Sequence, residues 1–152
     1  MFIAYMAKEA TRISTLESIV DDIENSDGKK KIVTSEMSQV EVAYTAYEKT
    51  TRQLDAAYEQ MLDDFWADDS VVELVEFHEQ IAKDARMLIR ESIRMGIKIV
   101  KPLDAIHLAT AKWIDASEFH TYNLHHFQPL QNLVKCKICE PYIAQPRLIA
   151  PE

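Results

Sequence analysis

Glycine is scarce, with two residues in 152. That shortage argues against hairpin-rich β architecture and against glycine-loop nucleotide binding, because both need backbone at positive φ or close approach to a ligand. Cysteine is as rare. Cys136 and Cys139 are too few for a disulfide framework, so a cytoplasmic protein is expected. No run approaches the ~20 apolar residues of a membrane span. The N-terminal FIAYMA is too short for a signal peptide and leads straight into Lys8 and Glu9. Basic charge is in deficit: 17 Lys and Arg against 25 Asp and Glu give a net charge of −8. Any contact with nucleic acid must then come from a local basic patch. What remains is 47% hydrophobic and 28% charged, a balance that builds a core, and the length suits one domain over residues 1–152.

Helical and strand-like segments alternate. Helical apolar spacing covers 2–10 and 13–25 (Ile13, Leu16, Ile19, Val20, Ile23) and stops at the Asn25–Gly28 break. Lys29 to Lys31 lead into a β-branched run, Ile32 to Thr34. Ser35 is a suitable N-cap for a helix over 36–48 with Met37, Val40, Tyr44 and Tyr47 on one face. A helix is predicted over 51–66, with Leu54, Tyr58, Met61 and Phe65 in register. A strand at 71–77 and a long helix over 79–95, ending at Gly96, follow. Glu118 to Tyr122 and Val134 to Cys139 read as short strands. Strands separated by helices imply parallel pairing and a layered α/β domain.

Chemistry concentrates at two acids. Asp104 opens KPLDAIHLATA (101–111), an apolar segment interrupted only by His107, Thr110 and Lys112. A carboxylate at the mouth of a buried helix needs a partner: free helix N–H groups, a cation or a metal ion. Glu41 borders the apolar stripe of the 36–48 helix, where an edge glutamate reaching solvent is the plain alternative. Both helices follow strands, and in parallel α/β sheets sites form at the carboxyl ends of strands. Clustered carboxylates with spare water positions suit Mg²⁺ or Mn²⁺.

IVTSEMSQVEVAY (32–44), KPLDAIHLATA (101–111) and TYNLHHF (121–127) resemble, in order and spacing, three motif regions of PIN domains. The likeness is nearest to the VapC-like toxin ribonucleases of toxin–antitoxin pairs and runs over almost the whole chain. It implies a three-layer α/β/α fold with a mainly parallel sheet, and an acidic pocket for one or two divalent metals. The implied reaction is hydrolysis of single-stranded RNA. An antitoxin protein and a homodimer are the implied partners. Glu41 matches the family's glutamate and Asp104 the aspartate that starts its penultimate major helix, both catalytic and metal-binding by that resemblance. Asn123, where the family more often has an aspartate, offers a neutral carbonyl oxygen to the metal. The family's opening strand and its aspartate are missing, since FIAYMAKEA matches the helix that should follow them. Glu36 lies one turn before Glu41 on a different flank. An inactive PIN-like binding or regulatory module is therefore the alternative, and a missing central strand would leave sheet edges that favour dimerisation.

Other features have plainer readings beside functional ones. Lys83, Arg86, Arg90 and Arg94 form a basic stripe that could steer phosphates or, paired with Glu79 and Glu91, simply face solvent. Tyr44, Tyr47 and Tyr58 could stack on bases, but their helical spacing favours core positions. The C-x-x-C of Cys136 and Cys139, with His120, His125 and His126 upstream, has the residue types for zinc, yet it lies in a strand-like stretch.

Overall fold

The computed structural model describes residues 5–7, 9–68 and 70–143. Of the helix predicted over 2–10, residues 2–4 and 8 lie outside them; Tyr5 and Met6 are helical, and Ala10 lies in a turn. Helix α1, Ile13–Glu24, buries Leu16 and Ile23, and Gly28 at φ 74° turns the chain toward the first strand. Strand β1 (Ile32–Ser35) pairs in parallel with β2 (Val72–Val75), Ile32 opposite Val72 and Ser35 opposite Val75. The long helix α5 (Glu79–Arg94) and α6 (Pro102–Trp113) come next. Strand β3 (Glu118–His120) pairs in parallel with β4 (Lys137–Cys139), after the short helix α7 (Leu124–Phe127) and a 3-10 turn over Gln128–Leu133. The result is the expected mixed α/β fold with parallel pairing, helices packing on strands. No described helix is long and apolar enough to cross a membrane.

The α5–α6 pair is the body of the molecule. Ile81, Ala85, Leu88 and Ser92 recur at helical spacing and are buried against Ala105, Leu108, Ala109 and Ala111 of α6. His78 caps α5, its Nδ1 accepting the Gln80 N–H at 3.2 Å. Glu79 in the first turn and Arg94 in the last suit the helix dipole. Ser92 fixes the turn into α6, its hydroxyl donating to Ile89 O (2.7 Å) and accepting the Val100 N–H (3.3 Å). Gln131 ties the 3-10 turn to β4, donating to Cys136 O (2.6 Å) and accepting from Ile138 N–H (2.8 Å). The basic stripe of α5 faces solvent, with Lys83 paired to Glu79 and Arg94 to Glu91.

The middle of the chain departs from its sequence pattern. The expected helix over 36–48 is two pieces, α2 (Met37–Glu41) and α3 (Ala46–Thr51). Thr45 starts α3 with a capping box: its hydroxyl accepts the Glu48 N–H at 3.1 Å while Glu48 Oε2 accepts the Thr45 N–H at 2.7 Å. Breaking the helix there changes the phase of everything after Glu41. The shared apolar face is lost, leaving Val40, Tyr44 and Tyr47 63%, 58% and 55% exposed. The helix expected over 51–66 begins at Ala56, because Arg52 ends α3 at φ 61° and Asp55 caps α4 (Ala56–Ala67) through the Ala57 and Tyr58 N–H groups. Leu54 then sits in the linker, 87% exposed. Tyr58 is half-buried and donates its hydroxyl proton to Val42 O at 2.6 Å. Ser35 belongs to β1 rather than to a helix cap, although its Oγ still accepts the Met37 N–H at 3.3 Å.

Candidate active site

A cleft of about 920 Å³ runs between the two parallel strand pairs and is lined by residues of both β1 and β3. Each of these strands has one paired neighbour among the described residues, so an edge of each borders the cleft. At the carboxyl end of β1 the hydroxyls of Thr34 and Ser38 share a buried 2.6 Å hydrogen bond. Short β-branched residues complete the strand, and the chain turns at once into α2, which carries Glu41 at its last position.

Glu41 faces the cleft and is held there. Its Oε2 lies 2.7 Å from Nε2 of His107, with both side chains largely buried. His107 sits on α6, three residues after Asp104 and therefore on the same face. One hydrogen bond thus joins α2 to the helical turn that carries the second acid, and Glu41, Asp104 and His107 all line the cleft. The histidine went unremarked in the sequence except as an interruption of an apolar run. Its i, i+3 spacing from Asp104 was the available signal.

Asp104 is not the first residue of its helix. Pro102 is, with its missing N–H and fixed φ well suited to that position, and Lys101 precedes it in extended backbone. Asp104 occupies the third position of the first turn, where negative charge is favoured. Among the described residues its carboxylate enters no hydrogen bond or ion pair, so the capping role open to it in the sequence is not taken up. Its field reaches His126. Burial lowers the His126 pKa, His125 and Lys98 push the same way, and Asp104 opposes them.

Asn123 also lines the cleft, exposed, at the start of α7. Its backbone N–H donates to Thr121 Oγ1 at 3.1 Å, and its side chain makes no capping bond. Glu36 is exposed and is not among the cleft-lining residues. The donor set is two carboxylates and an amide oxygen, which suits a hard divalent cation that keeps several waters. Glu41, Asp104 and His107 do not draw together into a close three-ligand cluster among the described residues.

The β3 wall carries a second group. Glu118 and His120 alternate onto one face of β3, and Cys139 stands opposite His120 in the parallel register. His120 Nε2 is 2.8 Å and Cys139 Sγ 3.7 Å from Glu118 Oε2. Burial acts to raise the Glu118 pKa, but hydrogen bonds from His120, Tyr142 and Lys137 outweigh it and bring the value down to about 2. Burial, with the adjacent Glu118 charge, raises the Cys139 thiol. The two cysteines are divided by strand geometry. Cys136 is buried in the core and Cys139 is half-buried beside Glu118, so the C-x-x-C does not act as a unit. His125 and His126 lie against each other with their rings tilted by 60° instead of joining either cysteine, and His126 bonds Lys98 at 2.7 Å.

Comparison with known proteins agrees with this architecture. A family model described as PIN domain matches residues 1–128. No curated protein matches the chain.

Proposed function

Because the chain belongs to the PIN domain family, whose members are generally nucleases that use divalent metals and act on RNA, we propose that it is a metal-dependent ribonuclease of the VapC-like toxin kind, cutting single-stranded RNA in the β1–β3 cleft. The observation that carries the proposal is the bond between Glu41 and His107. It holds one acid in the cleft and on the helical turn of the other, although the two are far apart in sequence.

Glu41 and Asp104 would hold Mg²⁺ or Mn²⁺, with the Asn123 amide oxygen as a neutral third donor. A divalent ion there supplies Lewis-acid stabilisation of phosphate charge and a water of lowered pKa. The protein's own contributions are distinct. His107 orients the Glu41 carboxylate, Asp104 adds charge with no competing partner among the described residues, and the Thr34–Ser38 pair braces the strand end. Lys29, Lys30 and Lys31 line the cleft, Lys30 paired with Asp22 and Lys31 with Glu73, and an entering phosphate would compete with those carboxylates for their charge. The exposed Val40, Tyr44, Tyr47 and Leu54 support a protein partner, either an antitoxin or a second copy in a homodimer.

The test is Mn²⁺-dependent cleavage of an unstructured, end-labelled RNA, with Asp104→Asn and Glu41→Gln prepared identically. Cleavage should require the metal and fall by at least about 100-fold in either variant, as removal of a charge-stabilising group does. A folded protein that neither cuts RNA nor binds Mn²⁺ would instead be a PIN-like binding or regulatory module. That alternative is favoured by one specific observation, the lack of a third close ligand beside Glu41 and Asp104 among the described residues.

A further inference from the structure

We propose that Glu118, His120 and Cys139 form a second metal site, selective for a borderline-soft divalent ion such as Zn²⁺ and separate from the Glu41–Asp104 pair. Their ligand atoms lie within 4.8 Å of one another, which no other group of three metal-ligating side chains achieves among the described residues.

Sheet geometry makes the convergence. Glu118 and His120 are two residues apart on one strand and share a face, and the parallel register sets Cys139 across from His120. A tetrahedral zinc with bonds of ~2.0–2.3 Å needs neighbouring ligand atoms roughly 3.4–3.8 Å apart. The Cys139 Sγ to Glu118 Oε2 separation of 3.7 Å is already in that range, and the remaining adjustment is a side-chain rotation on a fixed backbone. Carboxylate, imidazole and thiolate together are a zinc set, whereas Mg²⁺ and Mn²⁺ prefer oxygen alone. Three protein ligands leave a fourth position for water, and Glu118 and His120 open it to the cleft.

Without metal, protons do the holding. His120 and Tyr142 (2.8 Å each) and the Lys137 ammonium (3.0 Å) all bind the Glu118 carboxylate. On metal binding the His120 ring exchanges its Nε2 proton through solvent for one on Nδ1, freeing the Nε2 lone pair, Cys139 releases its thiol proton to solvent, and Lys137 leaves. The Lys137 side chain is 58% exposed, so its departure costs little.

The experiment uses metal-free full-length protein and Zn²⁺ in competition with a chromophoric chelator, followed by Co²⁺ as a spectroscopic substitute. One equivalent of Zn²⁺ should bind, and the Co²⁺ form should show tetrahedral d–d bands with a thiolate charge-transfer band. Cys139→Ser should abolish that band and weaken Zn²⁺ by more than about 100-fold, beyond what altering a group that merely supports a ligand causes. His120→Gln and Glu118→Gln should weaken binding similarly, while His125→Gln should not. Retained affinity in Cys139→Ser, loss in His125→Gln, or a Co²⁺ spectrum of the unsubstituted protein without thiolate charge transfer would each overturn the site. The last readout needs no variant to fold. Glu41→Gln should leave Zn²⁺ binding unchanged, so failure here and failure of the nuclease proposal are separable.

Discussion

The two sides of the cleft are built to different standards. Among the described residues the α5–α6 side carries a continuous core of thirteen buried residues, including Ile81, Leu88, Leu108 and Leu130 with no exposed surface. On the other side, among the described residues, α1, the β1–β2 pair and α4 gather around a buried cluster of three, Ile23, Val71 and Val72, with partly buried side chains packed against it. Helix α4 buries no residue fully. One side is thus a platform and the other a cover, and the two candidate acids are divided between them: Asp104 on the platform and Glu41 at the end of α2, the helix that follows the cover's first strand. Catalytic geometry in such a molecule depends on how firmly the weaker side is tied to the stronger.

Cavity-forming substitutions should separate the two sides most clearly. Leu108→Ala, in the platform, should lower stability by about 2–5 kcal/mol in urea unfolding, the range for a fully buried leucine. Val72→Ala, in the cover, should lower it by only about 1–2 kcal/mol, from the two methyl groups lost. Equal losses would mean a single cooperative core. The tie between the sides is the next target. His107→Gln removes the side-chain hydrogen bond that joins Glu41 to α6, and should reduce stability by about 1 kcal/mol. Any RNA cleavage should fall much further than that small loss implies, because Glu41 loses its orientation.

The smallest effect is local to the cover and shows in its pH dependence. Backbone N–H groups of Asp55 and Thr45 lower the Glu48 pKa in the folded chain. The ionised carboxylate therefore stabilises the fold fully above its unfolded value of about 4.3. That contribution disappears as pH falls through the lower folded value. Glu48→Gln should lower the urea midpoint slightly at pH 7, and the gap from the parent protein should close as the pH drops below about 4. A gap that stays constant with pH would show that the capping box acts through its neutral hydrogen bonds alone.

The platform was readable in the sequence, and so were α1, β1 and β2 of the cover; residues 36–66 between those strands were not. Over 79–95 and 101–113 the apolar residues repeat with helical period and no internal break, so α5 and α6 emerge within a residue or two of their observed bounds. Over 36–66 the same rule fails, because three local devices override period: the Thr45–Glu48 box, the left-handed Arg52 and the Asp55 cap. The T-x-x-E spacing of the box is a sequence signal in its own right, and weighing it would have placed Tyr44 and Tyr47 correctly on the surface. In the site, Glu41, Asp104 and Asn123 were singled out and all line the cleft, whereas His107 was not. Of the Glu118–His120–Cys139 group, His120 and Cys139 stood out by residue type, but Glu118 and the convergence of the three did not, because alternation on one strand is visible in sequence and the register of a parallel partner is not.

The short link between α5 and α6 has a consequence in time. Closing residues 95–101 is entropically cheaper than closing residues 36–71 to bring β1 beside β2, by about 1.5 kcal/mol in a simple chain-closure estimate. A refolding chain therefore gains its helical hairpin early and its first ladder late. Emerging from a ribosome, the same chain meets the opposite order, with β1 and β2 released before the helices that will support them. The cleft needs α6 and β3 as well as β1. Any cutting activity it has comes into being only after β3 has been released.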